Sequence, residues 1–274
     1  MGYKRPQETT RTYLESAPLP NHGGSYTVVS HSDIINTTQK LFNDLGLKVD
    51  RELYRANVNA KVAQGVYHIS PLSDNGTTDN ELGMMFGWTN SYDKSVRFQC
   101  AVGAYVMVCN NGMVAGEMSF ARKHTGSADY DITEQINKQL GSIDKHFTQI
   151  ITDRDAFRKT DLSIKEQSEL LGRLYCDEDV LDLNQMSIVK QEIKKPSYDY
   201  QADQDNAWAF YNHVTHALKK THPRSWLSDS QKFHKFMVGD ILGQMGINKS
   251  DKPMDIVEIE PEEDNQLTIS FDLL

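Results

Sequence analysis

The stretch from Gly87 to Gly116 constrains the fold of this chain more than any other part, because it predicts a long β-hairpin. Apolar side chains occupy every second position of the first strand: Val96, Phe98, Cys100, Val102, Ala104, Val106 and Val108. The alternate positions, Arg97 and Tyr105 among them, are mixed, so we expect one buried face and one half-open face. At the tip, Asn111-Gly112 suits a type I′ turn, since both residue types tolerate positive φ. Residues 113–120 are predicted to return as the partner strand.

Strands precede this hairpin and helices follow it. Short strands are predicted at 26–29, 47–58 and 62–69, with a helix that starts near Ser32 or Asp33 and ends at a left-handed Gly46. Downstream, apolar residues spaced by three, four and seven from Ile132 to Phe157 predict one long helix, opened by a capping box at Asp131 and Glu134. Further helices are predicted at 164–175, 183–194, 205–220 and 229–245. The order favours an α+β fold, in which helices back an antiparallel sheet with a long central hairpin and the C-terminal half is helical.

The predicted domain organisation has three parts. Residues 1–24 form a flexible N-terminal arm, and residues 25–248 form one α+β domain with a possible internal boundary at 196–204, where Pro196 begins a polar run. Residues 249–274 form an acidic tail. Its segment 251–274 carries eight acids and one base, so the net charge of −9 leaves only −2 for residues 1–249. A nearly neutral body does not exclude nucleic acid as a partner.

Composition indicates a soluble protein of the cytoplasm. Of its 274 residues, 38% are hydrophobic and 24% are charged, which is ordinary for a globular chain. No apolar run approaches the ~20 residues that span a bilayer, and no secretory signal is recognisable, so no membrane contact is expected. Cys100 and Cys109 are predicted to point to opposite faces of one strand, and Cys176 has no partner spacing, so we expect three reduced thiols.

Three groups of residues resemble a known family. Asn90-Ser91-Tyr92-Asp93 is similar to an Asn-Ser-x-Asp corner, and Cys109-Asn110-Asn111-Gly112 is similar to a Cys-Ser/Thr-Asn-Gly turn. Trp208, Tyr211, Asn212 and Thr215 resemble a Trp-x-x-x-Asn-x-x-Thr helix. Together they resemble the phage/plasmid-like family called domain of unknown function 932, over about residues 30 to 220. Asn110 departs from the hydroxyl residue of many relatives. The resemblance implies a protein of phages, prophages and plasmids, and it implies no reaction.

The motif residues Asn90, Asp93, Asn111, Gly112, Trp208, Asn212 and Thr215 are interpreted as structural or functional. The corner and the turn lie at opposite ends of one predicted strand, too far apart for one compact site. A structural role, with Asn and Asp satisfying local backbone groups, is the favoured interpretation for each.

The sequence contains no recognisable catalytic or metal-binding motif. His213 and His216 have the i, i+3 spacing of a metal-binding pair, but no acidic or Cys ligand at fitting spacing accompanies them, so we interpret them as surface histidines. Carboxylate pairs such as Asp153/Asp155 and Asp177/Asp179 are interpreted as solvated faces. Walker-type, Gly-x-Gly-x-x-Gly and Gly-x-Ser-x-Gly loops are absent from the sequence, and no cofactor is indicated.

A basic segment late in the chain is the candidate binding surface. Lys219, Lys220, Arg224, Lys232 and Lys235 surround a single acid, with Trp226, Phe233 and Phe236 between them. Lysines neutralise phosphates and rings stack on bases, which is how single strands are held without sequence readout. The alternative interpretation places these rings in the core of a helix. Arg97 and Tyr105 of the open hairpin face complete the predicted nucleic-acid-binding set.

Three functions stay open. The first is a non-catalytic protein that binds single-stranded nucleic acid in recombination or replication of a mobile element. The second is an interaction protein that inhibits a host defence factor, with residues 251–274 as a DNA-like decoy or a contact to a host protein. The third is a metal-dependent enzyme on nucleic acid. Residues 266–271 predict a terminal strand or, alternatively, a clamp-docking peptide, and a homo-oligomer stays open.

Overall fold

The computed structural model describes residues 7–20, 28–72, 76–115, 118–120, 128–200 and 204–243. Within them the strands form one antiparallel sheet of seven strands in the order β1-β2-β3-β4-β5-β6, and β7 pairs with β5. The strands are β1 (Gln7–Thr9), β2 (Leu47–Ala56), β3 (Val62–Pro71), β4 (Leu82–Ser91), β5 (Gln99–Val106), β6 (Asn111–Met113) and β7 (Ser119–Phe120). With the helices that follow, this sheet confirms the predicted α+β class.

Most helices follow the sheet in sequence. They are α1 (Arg11–Glu15), α2 (His31–Asp44), α3 (Ala128–Gly141), α4 (Ile143–Arg158), α5 (Ile164–Cys176), α6 (Leu183–Lys194), α7 (Ala207–Leu218) and α8 (Trp226–Met237), with a 3-10 turn at Val58–Ala60 and a π turn at Val238–Leu242. Helices α2, α3 and α4 cover one face of the sheet. We call this the core face, and its side chains include Tyr67, Phe86, Trp88 and Val102.

The predicted hairpin is part of a larger meander. Strand β4 pairs with β3 and β5 along nearly its full length, yet it was not predicted as a strand. Every residue of β4 is buried. Because both faces are covered, its sequence lacks the alternation of apolar and polar residues that marks a half-exposed strand.

The tip of the hairpin differs from the prediction. Val106 pairs with Asn111 in β6, so the turn consists of residues 107–110. Asn110 is the residue with positive φ, at 55°, whereas Gly112 is not among the positive-φ residues. The type I′ turn at Asn111-Gly112 was therefore wrong. Gly112 serves a different purpose: a Cβ there would lie 2.7 Å from the ring of Trp226. The predicted return strand is only the short β6 and β7.

Several helix boundaries follow from capping side chains. Ser30, not Ser32 or Asp33, caps α2 by accepting the backbone N–H of Asp33. Gly46 adopts the predicted left-handed conformation with φ 67°. Ser163 and Asp182 begin α5 and α6 with capping boxes, as the predicted bounds of those helices require.

The predicted long helix is two helices. It divides at Ser142 into α3 and α4. Asp131 lies inside α3, which begins at Ala128, so the predicted capping box was wrong. The apolar spacing still holds across the break, because Ile136, Leu140, Ile143 and Phe147 all lie in the core.

Residues 7–20 of the predicted N-terminal arm are ordered rather than loose. Strand β1 pairs with β2, and α1 is capped by Thr10 and buries Leu14. Arg11 holds this segment to α2 through hydrogen bonds to Asn36 and Gln39. The acidic tail at 249–274 and residues 26–27 of the strand predicted at 26–29 lie outside the described residues, and residues 28–29 are not in a strand.

Candidate nucleic-acid interface

The second face of the sheet carries a different set of side chains, and we call it the open face. Its residues on β3 are Gln64, Val66 and His68, which alternate with core residues. Cross-strand partners share a face, so Arg55, Gln64, Thr89 and Gln99 form one row across β2 to β5. We call these four residues the polar row.

The polar row holds the loop between α7 and α8. Arg55 Nη2 donates to the carbonyl of Thr221 at 2.6 Å, and Thr89 Oγ1 donates to that of Pro223 at 3.0 Å. Gln99 Nε2 donates to the carbonyl of Arg224 at 3.2 Å. The row thereby fixes residues 221–224 against the open face through their main chain.

Next to the polar row, small residues receive the start of α8. A Cβ on Gly87 would lie 3.1 Å from Leu227, and one on Gly112 would meet the ring of Trp226. Trp226 and Leu227 form a second apolar cluster with Met85, Ala101 and Val114. The helix therefore covers the middle of the open face, which glycine leaves flat enough for an indole ring.

A groove of about 390 Å³ remains on the open face beside Trp226. Side chains from β2 and β3 line one part of it, and the turn after β5 lines another. The residues that matter for binding chemistry are Arg51, Arg55, Gln64, His68, Lys219 and Trp226, with Tyr198 and Asn110 at the rim. This volume falls within the range of about 300–1,000 Å³ that is usual for ligand sites.

The groove combines fixed cations with aromatic surfaces. The His68 ring stacks on Tyr105 with centroids 3.6 Å apart, and burial together with the Arg51 charge lowers the pKa of His68 to about 4. His68 is therefore a neutral ring at pH 7. Lys219 donates to the carbonyl of Cys109 and lies 5.5 Å from the centre of the Tyr198 ring. Glu8 and Glu52 also line the groove, which limits its positive charge.

One polar group of the groove has no protein partner. Gln64 is 1% exposed, and its Nε2 forms no hydrogen bond. A buried donor without a partner costs roughly 1–3 kcal/mol. This amide is consequently the group on the groove floor with unused hydrogen-bonding capacity.

The structure places the predicted binding residues in different surroundings. Lys220, Arg224, Lys232, Lys235 and Arg97 are exposed, Tyr105 and Lys219 are half-buried, and Trp226 is buried. Lys219 lines the groove, whereas Lys220 lines a different cleft. The predicted cations therefore do not meet in one pocket.

The rings predicted to alternate with these cations are not a stacking surface. Phe233 is 0% exposed and Phe236 and Trp226 are each 7% exposed, because α8 buries this face against α4, α7 and the sheet. The alternative interpretation, a helix with an apolar core face, is correct for Phe233 and Phe236. Aromatic surface is instead available at the half-buried ring of Tyr105 and the exposed ring of Tyr198, of which only Tyr105 was predicted. His68, which stacks on Tyr105, is 4% exposed.

Two of the sequence motifs come into contact although they lie far apart in the chain. Asn111 Nδ2 donates to the main-chain carbonyl of Asn212 at 3.1 Å, and Asn212 Nδ2 donates to Trp208. Thr215 Oγ1 bonds back to the carbonyl of Tyr211. The turn motif thus packs on the helix motif, one turn away from Lys219 and the groove.

The third motif is structural. Asn90 Nδ2 donates to the carbonyl of Val29, and Tyr92 accepts the backbone N–H of His31. The His31 ring stacks on Tyr92 at 3.9 Å, while Asp93 is exposed and accepts from Ser95. This corner fixes the start of α2 at the end of the sheet opposite the turn motif, as the expected separation of the two motifs requires.

Of the histidine pair of α7, His213 is not on the surface and His216 is half-buried. His213 is fully buried, neither of its ring nitrogens has a partner, and burial lowers its pKa to about 4. Glu192 of α6 lies 3.8 Å from His216, a neighbour that sequence spacing did not indicate. Burial acts against the charged form of Glu192, but hydrogen bonds from Ser197 lower its pKa overall. In the part of the chain described, no group of three His, Cys, Asp or Glu residues is arranged to hold a metal.

Asp153 also differs from the prediction of a solvated face. It is 2% exposed and accepts a hydrogen bond from Gln149. His234 Nε2 lies 3.2 Å from its carboxylate, and Tyr211 bonds the other ring nitrogen of His234 at 2.9 Å. This chain of side chains joins α4, α7 and α8 in the core.

A larger cleft of about 1040 Å³ lies on the other side of the loop 219–225. Asp179, Asp182 and Asp229 line it together with Lys220 and His222. Burial raises the pKa of Asp229 to about 6. Its polar lining is mostly occupied, since Asp182 caps α6 and Gln185 bonds Thr221.

Comparison with known proteins identifies the family. The family model described as domain of unknown function (DUF932) matches residues 18–238, which includes the corner, the turn, the helix motif and all of the residues that line the groove except Glu8 and Thr9. The chain belongs to this family. Neither the curated proteins nor the solved structures gave a match. Among the helices described, none is long and apolar enough to cross a membrane.

Proposed function

We propose that this DUF932 protein binds single-stranded nucleic acid without catalysis, and that the groove on the open face is the binding site. The observation that carries the proposal is the lining of the groove, where Arg51, Arg55 and Lys219 lie beside aromatic rings. Single strands are held by cations along the backbone and by rings against the bases.

The aromatic part of this site is preorganised. His68 and Tyr105 stack on each other, and Lys219 lies over Tyr198. His68 is neutral at pH 7 and 4% exposed, so it supports the half-buried Tyr105 ring without a charge that must be desolvated. Base stacking on such surfaces contributes about 1–3 kcal/mol per base.

The exposed cations of the α7–α8 loop extend the site electrostatically. Lys220 and Arg224 flank the segment that the polar row holds, so their charges are presented from a fixed main chain. Phosphates of a strand leaving the groove are neutralised there.

The biological setting of the proposal comes from the family resemblance. A single-strand binder fits recombination or replication of a phage or plasmid, in the cytoplasm of a bacterial host. Inhibition of a host factor through residues 251–274 is a separate hypothesis on residues outside the described part of the chain.

The test is the salt dependence of binding to a labelled single strand, measured by fluorescence anisotropy. We expect Lys220→Ala/Arg224→Ala to lower the salt slope by about 1.4, since each phosphate contact contributes about 0.7 for single strands. Lys219 is left unchanged because it also holds the carbonyl of Cys109.

Lys232→Ala/Lys235→Ala is the matched control. It removes two exposed lysines of α8 that lie outside the loop held by the polar row. An unchanged slope in this variant supports phosphate contacts at the loop. Loss of binding in the control but not in the loop variant transfers the site to α8, and absence of binding by the unchanged protein overturns the proposal.

A further inference from the structure

We propose that Gln64 is a specificity-determining residue that reads the edge of a base in the groove, with adenine as the preferred base. This inference rests on the proposed function and adds to it a sequence preference, which stacking and phosphate contacts alone do not give.

The first argument is the geometry of the polar row. Arg55, Thr89 and Gln99 each donate to a carbonyl of the loop 221–224, whereas Gln64, in the same row, does not. The row therefore contains three groups that hold the protein together and one whose donor is unused. Gln64 is among the residues that line the groove, so its side chain borders the space where a ligand would lie.

The second argument is energetic. Gln64 is 1% exposed and its Nε2 lacks a partner, so the free protein bears the cost of a buried unsatisfied donor. A ligand that supplies an acceptor removes this cost on binding. Binding sites commonly retain such groups at the expense of stability.

The third argument concerns the chemical class of the ligand. A primary amide carries a donor and an acceptor side by side. Adenine presents the complementary pair, a ring nitrogen acceptor next to an amino donor, and glutamine is a usual partner for it. The Tyr105 ring, which is half-buried and stacked on His68, offers a flat surface for the face of a base.

The experiment compares oligo(dA) and oligo(dT) of equal length with the full chain and with Gln64→Met, which keeps the size of the side chain and removes the amide. We expect the unchanged protein to prefer oligo(dA) about tenfold, the size of one good amide–base contact. In Gln64→Met this preference should disappear while affinity for oligo(dT) is retained. The unchanged protein and Gln64→Met are compared on the same two oligomers. Differences in base stacking within free oligo(dA) and oligo(dT) therefore cancel.

A second readout separates binding from folding. Because the buried donor has no partner, Gln64→Met should unfold at an equal or higher denaturant concentration than the unchanged protein. A clear loss of stability would mean that the amide serves the fold, and it would overturn the inference.

The outcomes distinguish the two proposals. If the unchanged protein binds neither oligomer, the proposed function fails. If it binds both and Gln64→Met shows the same preference as the unchanged protein, the groove is a binding site and Gln64 does not read the base.

Discussion

The two faces of the sheet are built from the same strands but differ in what packs against them. On the core face, large rings such as Phe86 and Trp88 fill the space under α2 and α4, and Trp88 bonds Tyr67. On the open face, glycines and a polar row receive a loop and leave a groove. A strand in this protein therefore contributes to the core with one set of side chains and to the groove with the other.

The largest expected difference between the faces concerns their tryptophans. Trp88→Ala should cost about 3–5 kcal/mol in the free energy of unfolding, because it opens a cavity in the core and removes a hydrogen bond. Trp226→Ala should cost about 2 kcal/mol, since it lies at the groove with 7% exposure and packs on a smaller cluster. Denaturant unfolding of both variants measures the difference, and equal losses would contradict the division between the faces.

A second comparison uses pH. Burial lowers the pKa of His31, on the core face, and of His68, on the open face, to about 4 from 6.5. The unfolded chain binds protons in this window and the folded protein does not, so stability present above pH 6.5 is lost as the pH falls toward 4. The expected loss from His31 is roughly 3 kcal/mol.

His68 is more accessible to solvent and should contribute a smaller share of this pH dependence. The measurement is the midpoint of unfolding as a function of pH in His31→Gln and His68→Gln, with the unchanged protein as reference. We expect the unfolding midpoint to depend less on pH in His31→Gln than in His68→Gln. The reverse order would show that His68, at the groove, contributes more than His31 to the loss of stability in acid.

The smallest expected effect separates used from unused hydroxyl groups. Thr89→Val removes the hydrogen bond to Pro223 and should cost about 1 kcal/mol, with faster amide exchange in residues 221–224. Thr38→Val makes the same chemical change at a buried hydroxyl without a partner, so it should be neutral or stabilising. Equal losses in the free energy of unfolding for the two variants would contradict the conclusion that the polar row holds the loop.

The successful sequence predictions depended on patterns within single helices and strands. The α+β class, the strands β2 and β3, and the helices α5 and α6 follow from local periodicity and capping residues such as Ser163 and Asp182. Strand β4 was not predicted, because burial on both faces removes the alternation of apolar and polar residues that identifies a strand. Gly112 was assigned to a turn because a sequence does not show that a tryptophan more than a hundred residues later packs against it.

The groove was harder to predict, because a sequence does not show which distant residues come into contact. Tyr105 and Lys219 were found from a half-open strand and a basic segment. Lys219 lines the groove, and Tyr105 stacks on His68, which also lines it. Gln64, His68 and Arg51 lie on strands whose pairing brings them together, and no motif marks them. Trp226 was predicted as a stacking ring, but in the structure it is 7% exposed and packs against Met85, Ala101 and Val114.

The way the loop is anchored has a consequence for how this surface can diversify. Arg55, Thr89 and Gln99 grip carbonyl oxygens, which every amino acid supplies, so the path of residues 221–224 does not depend on which side chains the loop displays. Mutation can exchange Lys220 or Arg224 for other residues while the scaffold beneath stays in place. The side chains that this loop exposes to solvent can therefore change while the hydrogen bonds that hold its main chain are kept.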